Sequence, residues 1–126
     1  MKNINTKEEI LGDTKDLEET EAQVTVHISF TNYTIENQLL RVWKSTYLFP
    51  EESANKSILL HFYNISFYPK FMTVAPGKSI TFTLIFSALP KECKRFDLRE
   101  IIPEPGGFHF KSIKRNATDV YHLTLN

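Results

Sequence analysis

The stretch VAPGKSITFTLIFSALP, residues 74–90, decides the fold because it joins a tight turn to an amphipathic strand. In Ala75-Pro76-Gly77-Lys78, proline presets φ at the second turn position, and glycine accepts the positive φ that a type II turn needs at the third. Residues 79–87 then alternate with the period of a β-strand, and the apolar side of that strand consists of Ile80, Phe82, Leu84 and Phe86. The pattern predicts a central strand with Phe82 and Phe86 in the core.

Strand patterns lie on both sides of this central strand. The clearest begins after Ala22, where Val24, Val26, Ile28 and Phe30 alternate with polar residues. The other predicted strands are apolar, aromatic and β-branched runs: Leu39–Phe49, Ile58–Phe67, Phe71–Val74, Arg95–Ile102, Phe108–Ile113 and Val120–Leu125. Seven or eight short strands without helical periodicity predict an all-β fold, an antiparallel immunoglobulin-like β-sandwich. A small β-barrel is the alternative.

The N-terminal 21 residues have a different composition from the rest of the chain. They contain three basic and seven acidic residues, a net charge of −4, so the remainder carries +4. Their large apolar side chains are too few to form a core. The sequence therefore predicts an acidic, flexible arm over residues 1–21, followed by a single β-sandwich domain over residues 22–126.

Bulk composition excludes several classes of function. Fifteen basic and fifteen acidic residues cancel, which argues against nucleic acid or an anionic membrane as the partner. The N-terminus lacks the apolar stretch of a signal peptide, and no run reaches membrane-spanning length. We therefore expect a soluble protein without a transmembrane segment, cytoplasmic as written and exported if a signal sequence has been removed.

The turn and the strand after it carry a resemblance to a known class of domain. Residues 74–78, leading into residues 79–86 and then Leu89-Pro90, resemble the pattern of telokin-like, immunoglobulin-fold accessory domains of bacterial proteins. The likeness covers about the middle third of the chain. Cys93 has no partner, so the disulfide against which Trp43 would pack in an antibody domain is missing. The resemblance implies a binding or structural module and carries over no functional residue.

Motifs for catalysis and cofactor binding are incomplete. Gly77-Lys78-Ser79 matches the end of a phosphate-binding loop, but Met72 stands where the first glycine belongs. Cys93 lacks the local signature of a catalytic cysteine, although Lys91, Lys94 and Arg95 would lower its thiol pKa if it is exposed. We therefore expect no enzymatic activity and no cofactor.

The histidines and asparagines also have structural explanations. No two histidines share the spacing of a local metal clip, so we expect no metal site at His27, His61, His109 and His122. Four Asn-x-Ser/Thr sequons begin at Asn32, Asn55, Asn64 and Asn116. We interpret them as residues that favour turns, with glycosylation as the minority alternative.

These observations predict a non-catalytic binding or structural module that mediates protein–protein interaction. The alternative is a carbohydrate or small-ligand module with an exposed aromatic platform formed by Tyr33, Trp43, Tyr63 and Tyr121. The basic residues Lys111, Lys114 and Arg115 could dock the acidic arm or an acidic partner, or serve solubility alone. The expected partner is an unknown protein or carbohydrate, and the chain a monomer or weak homo-oligomer.

Overall fold

A computed structural model describes residues 22–126, so the predicted arm over residues 1–21 lies outside the described residues. The regular elements in this part of the chain are β-strands, in agreement with the all-β prediction. They are β1 (Val24–Thr31), β2 (Gln38–Leu40), β3 (Thr46–Pro50), β4 (Ser57–Tyr63), β5 (Met72–Val74), β6 (Ser79–Phe86), β7 (Arg95–Glu100), β8 (His109–Lys114) and β9 (Val120–Leu125). Between Ala22 and Asn126, no helix is long and apolar enough to span a membrane.

Seven of the strands form one mixed sheet in the order β8-β7-β3-β4-β6-β1-β9, which curls into a half-barrel. β2 and β5 pair separately. The pairs within the large sheet are antiparallel except that of β1 with β9, which is parallel. The expectation of a purely antiparallel arrangement is therefore wrong at β9. The chain passes from one edge strand, β8, to the opposite edge and enters β9 in the direction of β1.

The core lies inside the curl of the large sheet. β6 pairs with β4 on one side and β1 on the other, and its Phe82, Leu84 and Phe86 are completely buried. This confirms the predicted central strand. Across the core, the ring of Phe96 meets that of Tyr121 edge to face, with centroids 5.1 Å apart. The two ends of the curled sheet therefore share one apolar interior.

The predicted turn at residues 75–78 is confirmed. Gly77 has a φ of 77°, and Lys78 N–H donates to the Ala75 carbonyl at 3.0 Å. Gly77 N–H also donates to the Asn32 carbonyl at 2.7 Å. The turn is thus bonded to the residue that follows β1.

The predicted strand Leu39–Phe49 is in fact divided into β2 and β3. Between them, Val42 N–H donates to the Ser66 carbonyl and Trp43 N–H donates to the carboxylate of Glu100, both at 2.9 Å. These two amides bond neither to the backbone of β5 nor to the backbone of a strand in the large sheet. The chain therefore leaves the small sheet at the end of β2 and enters the large sheet only at β3. Residues 22–126 consequently hold nine strands, against the seven or eight predicted for the chain.

Strand directions place the connections at two opposite ends of the large sheet. The ladder pairs Thr31 with Ser79 at one end and Val24 with Phe86 at the other. The end where β1 finishes, which we call the loop end, carries the connections 32–37, 41–45, 64–71, 75–78 and 101–108. The opposite end carries residues 51–56, 87–94 and 115–119.

Candidate functional site

The first connection at the loop end is built on Asn32, whose residue surface is only 1% exposed. Its Nδ2 donates to the carbonyls of Glu36 and Val74, at 2.7 and 2.8 Å. Its Oδ1 accepts from the backbone N–H and the hydroxyl of Thr34, at 2.8 and 2.6 Å. Asparagine favours such a turn because its short amide can bond its own backbone two residues on. Four hydrogen bonds therefore fix the connection 32–37 to itself and to β5.

This fixed connection displays two large apolar side chains to solvent. Tyr33 is 89% exposed and Ile35 is 93% exposed. Both flank Thr34, whose backbone is held by Asn32. The connection therefore presents two apolar groups in one conformation, which reduces the entropy lost when a partner covers them.

A second apolar group at the loop end is organised around Arg41. Its guanidinium carbon lies 3.9 Å from the ring centroid of Phe71, 4.7 Å from that of Tyr68 and 5.4 Å from that of Trp43. The rings of Trp43 and Tyr68 stack with centroids 3.7 Å apart. Such cation–π contacts hold rings in fixed positions. We call Arg41, Trp43, Tyr68 and Phe71 the aromatic cluster, in which Tyr68 and Phe71 remain exposed to solvent.

The aromatic cluster borders a shallow cavity of about 200 Å³. Its lining includes Leu39, Phe71 and residues 104–106. The carboxylate of Glu104 lies 3.8 Å from the guanidinium of Arg41. Exposed large apolar side chains at this end of the fold are Tyr33, Ile35, Leu39, Tyr68, Phe71 and Ile101.

Glu100 at the end of β7 positions two of the segments around this cavity. Its residue surface is 6% exposed, and its carboxylate accepts from the backbone N–H of Trp43 at 2.9 Å and of Phe108 at 3.2 Å. Burial raises the pKa of this carboxyl group. Gly107 is also required, because a Cβ there would lie 2.5 Å from the Glu100 carbonyl oxygen. Glu100 and Gly107 thus hold the connections 41–45 and 101–108 together at the loop end.

The four aromatic residues predicted from the sequence do not form one platform. Tyr33 lies in the connection 32–37, Trp43 in the aromatic cluster and Tyr63 at the exposed end of β4. Tyr121 is 5% exposed, so its predicted place on an open surface is wrong. Its hydroxyl donates to Asp119 at 2.8 Å and accepts from Asn116 N–H at 3.0 Å, and burial raises its pKa to about 12.

The three residues of the predicted basic site have different surroundings in the structure. Lys111 and Lys114 are exposed, but Arg115 donates to Asp119 through Nε at 2.6 Å and Nη2 at 2.9 Å. Its Nη1 donates to the carbonyls of Pro90 and Cys93, at 2.8 and 3.1 Å. Arg115 therefore stabilises the connection 115–119, and only the two lysines remain for docking a partner.

Cys93 and the histidines show structural contacts. The Cys93 thiol donates to the Arg95 carbonyl at 3.2 Å, and burial raises its pKa, opposite to the direction expected for an exposed thiol beside lysines. The rings of His27 and His122 stack at 4.9 Å, and burial and the neighbouring ring lower the pKa of His27. In the described part of the chain, no three His, Cys, Asp or Glu residues are grouped to hold a metal ion.

Three of the four sequon asparagines use their side-chain amides within turns. Besides Asn32, Asn64 Nδ2 donates to the Thr81 carbonyl at 2.8 Å and Asn116 Nδ2 to the Val120 carbonyl at 2.9 Å. Asn64 also has a positive φ of 64°, a conformation that asparagine tolerates better than most residues. These contacts support the interpretation of the sequons as turn residues.

Sequence reasoning missed Asn32, Ile35, Arg41, Tyr68 and Phe71 as site residues, and of the aromatic cluster it identified Trp43 alone. Arg41 is far in sequence from Tyr68 and Phe71, and only the tertiary fold brings it to them. A signal was present at residues 32–35, where two large apolar residues stand inside an otherwise polar turn sequence, NYTI. Apolar side chains that a turn leaves exposed add little to the stability of the fold, so their presence in this turn indicates a binding role.

The fold and the site define a class of protein, a curled all-β domain with an apolar loop end. Comparison with known proteins adds no narrower identity, since no family model, curated protein or solved structure matches the chain. The functional argument therefore depends on the geometry of the loop end.

Proposed function

We propose that this domain is a non-catalytic interaction module that binds a partner protein through its loop end. The observation that carries the proposal is the exposure of Tyr33 and Ile35 on a connection fixed by Asn32. Burying each side chain in an interface would contribute about 1.5–3 kcal/mol. The connection is already ordered, so little of this free energy is lost in fixing it.

We infer further that the curled sheet is an immunoglobulin-like sandwich, as the resemblance to telokin-like domains implies. In support, β3 and β4 are joined by only two registered pairs, Tyr47 with Ile58 and Leu48 with Ser57, whereas β3 and β7 share five. On this proposal, the short ladder is the corner between a layer β9-β1-β6-β4 and a layer β3-β7-β8. Immunoglobulin-like domains carry binding loops at one end of such a sandwich, the position that the loop end occupies here.

The assignment of a non-catalytic role is supported by the contacts of the titratable groups with shifted pKa values. Glu100 accepts two backbone N–H groups, and Arg115 pairs with Asp119. Cys93 donates to a backbone carbonyl rather than to a base. Each of these groups connects segments of the fold, which explains its environment without a reaction.

A second candidate function is binding of a carbohydrate or small ligand beside the aromatic cluster. The exposed rings of Tyr68 and Phe71 and the adjoining cavity favour it, because sugars stack on exposed aromatic faces. One face of Trp43 is covered by Tyr68, which reduces its use as a platform. We rank this function second, since Tyr33 and Ile35 lie on a different connection from those rings.

Site-specific photo-crosslinking tests the proposed function. A photoreactive amino acid replaces Tyr33 in full-length protein expressed in its own organism, and the same group at exposed Ala117, at the opposite end of the sheet, serves as the control. We expect a discrete protein adduct from position 33 that disappears with Ile35→Ser. Both side chains are almost fully exposed, so the substitutions should leave the melting temperature unchanged.

Two results would contradict the proposed function. The first is that position 33 gives no adduct beyond those at position 117. The second is that neutral oligosaccharides shift the fluorescence of Trp43 and that Phe71→Ala, but not Ile35→Ser, abolishes the shift. The second result would establish the carbohydrate alternative.

A further inference from the structure

The last strand, β9, leaves an open edge on the large sheet. In the strand order it pairs only with β1, so within residues 22–126 no strand lies on its other side. Its sequence, VYHLTL over residues 120–125, contains no charged residue, proline or glycine. Natural sheets usually protect an edge with charges, proline or bulges, because unpaired backbone groups bind other strands.

The backbone groups directed away from β1 can be assigned. Thr25 N–H donates to the Asp119 carbonyl at 2.9 Å. In a parallel ladder, alternate residues of a strand bond to the neighbour, so Tyr121, Leu123 and Leu125 also bond towards β1. The N–H and carbonyl groups of His122 and Thr124 therefore point outwards and are available to another strand.

The opposite edge of the same sheet, β8, is protected. Lys111 and Lys114 are exposed there. Ser112 has a positive φ of 53°, and its N–H donates to Asp97 at 2.8 Å. The register of β7 with β8 also shifts, which bends the edge. The contrast between the two edges shows that β9 lacks protection that this chain provides elsewhere.

Charge distribution indicates what covers β9. The strands β1, β4, β6 and β9 contain no Asp, Glu, Lys or Arg, although 24% of the chain is charged. Hydroxyl groups on the outer face bond each other, as in Thr31 with Ser79 at 2.6 Å. An uncharged layer is well suited to meet an identical layer, because no like charges face each other across a two-fold axis.

We propose that a second copy of this chain pairs antiparallel along β9, about a two-fold axis at His122. In this register His122 faces His122 of the second copy, and Val120 faces Thr124 of the second copy. The outward groups then form about six main-chain hydrogen bonds, two of which are to the Val120 carbonyls, whose second lone pair accepts Asn116 Nδ2 at 2.9 Å. Leu123, partly buried beside the core, faces Tyr121 of the second copy and gains an apolar neighbour.

The dimer goes beyond the proposed function and does not depend on it. Pairing along β9 extends the layer β9-β1-β6-β4 sideways and leaves the connection 32–37 uncovered. Each dimer consequently carries two loop ends. Because the pairing is antiparallel, the two loop ends point in opposite directions, so only a partner whose repeated sites reach both ends gains from a second, intramolecular contact.

Sedimentation of the full chain under reducing conditions, over a range of concentrations, tests the proposal. Thr124→Pro removes an N–H that points away from β1 and leaves the N–H groups of Leu123 and Leu125 in place. Thr124→Val keeps the N–H and is the matched control. We expect a reversible dimer that Thr124→Pro weakens about tenfold or more, through the loss of two symmetric hydrogen bonds, and that Thr124→Val preserves. A monomer at every concentration, or a proline variant that dimerises like the wild type, overturns the proposal.

Amide exchange measured by NMR decides between occupants and remains informative if the proline variant does not fold. The amides of His122 and Thr124 should exchange fast in dilute protein and slowly in concentrated protein. Leu123 should be protected throughout and is the internal control. Slow exchange of all three in dilute, monomeric protein would mean that the same chain covers the edge, residues 1–21 for example, and overturns the proposal. Fast exchange of His122 and Thr124 at every concentration also overturns it.

The position of the axis has its own test. It places two stacked pairs of His27 and His122 side by side across the axis. The other titratable groups on the outer face are His61 and Tyr63 of β4, and these strands contribute no carboxylate. Burial and the neighbouring ring lower the pKa of His27, and its protonation in acid would place like charges side by side across the axis. Acidification should therefore raise the dissociation constant, and a constant that does not change while His27 becomes protonated rules out an axis at His122.

Discussion

Replacing Asn32 with alanine should lower the free energy of unfolding by about 2–4 kcal/mol. The substitution removes four side-chain hydrogen bonds, each with a net value of about 0.5–1.5 kcal/mol. Part of this loss is recovered, because the single proton of the Thr34 hydroxyl can then be donated to the Glu36 carbonyl, 2.9 Å away, and that carbonyl can also reach water. The Val74 carbonyl is buried and loses its side-chain partner, so the recovery is incomplete.

Urea unfolding followed by Trp43 fluorescence measures this change directly, since an unchanged m-value shows that the midpoint reports stability. Asn55→Ala is the matched control, because Asn55 is an exposed sequon asparagine and should lose less than about 0.5 kcal/mol. A loss below about 1 kcal/mol for Asn32→Ala would refute the reasoning that Asn32 fixes the connection 32–37. It would also remove the basis for treating Tyr33 and Ile35 as preorganised.

Two further predictions concern the core and the outer face. Phe82→Ala should lower the free energy of unfolding by about 3–5 kcal/mol in the same assay, because Phe82 is completely buried on a central strand, and a loss below about 1 kcal/mol would contradict that. The pKa of His27 is lowered in the folded chain, so below about pH 6.5 the unfolded chain binds a proton at this residue more readily than the folded chain does. The free energy of unfolding should therefore decrease as the pH falls below this value. His27→Gln should reduce this fall between about pH 7 and pH 5, and an unchanged profile would contradict the pKa assignment.

Features encoded by neighbouring residues could be predicted from the sequence. The turn at residues 75–78 depends on the φ preferences of Pro76 and Gly77, and the positive φ of Gly77 confirms it. The burial of Phe82 and Phe86 follows from strict alternation, which places them on one side of β6. Local backbone preference and side-chain period were therefore sufficient for the central strand.

Features that depend on distant residues could not be predicted. The chain turns between β2 and β3 because Val42 bonds to Ser66 and Trp43 bonds to Glu100, which are remote in sequence. The parallel pairing of β9 was missed for a related reason, since an alternating pattern specifies a buried side and not a strand direction. The direction of β9 depends on the connection 115–119, which carries the chain from β8 to the opposite edge of the sheet.

The candidate site shows the same division between local and distant information. Tyr33 and Trp43 could be singled out from the sequence as candidates for an exposed aromatic platform, and both lie at the loop end. Tyr121 was misplaced because its hydroxyl bonds to Asp119, so a ring with a polar group could be buried without cost. The stacking of Arg41 on Phe71 required the pairing of β2 with β5, which no local pattern indicates.

Two contacts are predicted away from the loop end, docking of residues 1–21 on β8 and pairing of two copies along β9, and these two edges differ in charge. The exposed lysines of β8, Lys111 and Lys114, are the remaining candidates to dock the acidic residues 1–21, whereas β9 at the other edge is uncharged. Docking on lysines is electrostatic and should weaken as salt reduces the screening length to about 8 Å at physiological strength. Pairing along β9 depends on backbone hydrogen bonds and apolar contact, so salt should leave it nearly unchanged. Salt and Thr124→Pro should therefore act on different contacts, and either could be lost while the other persists.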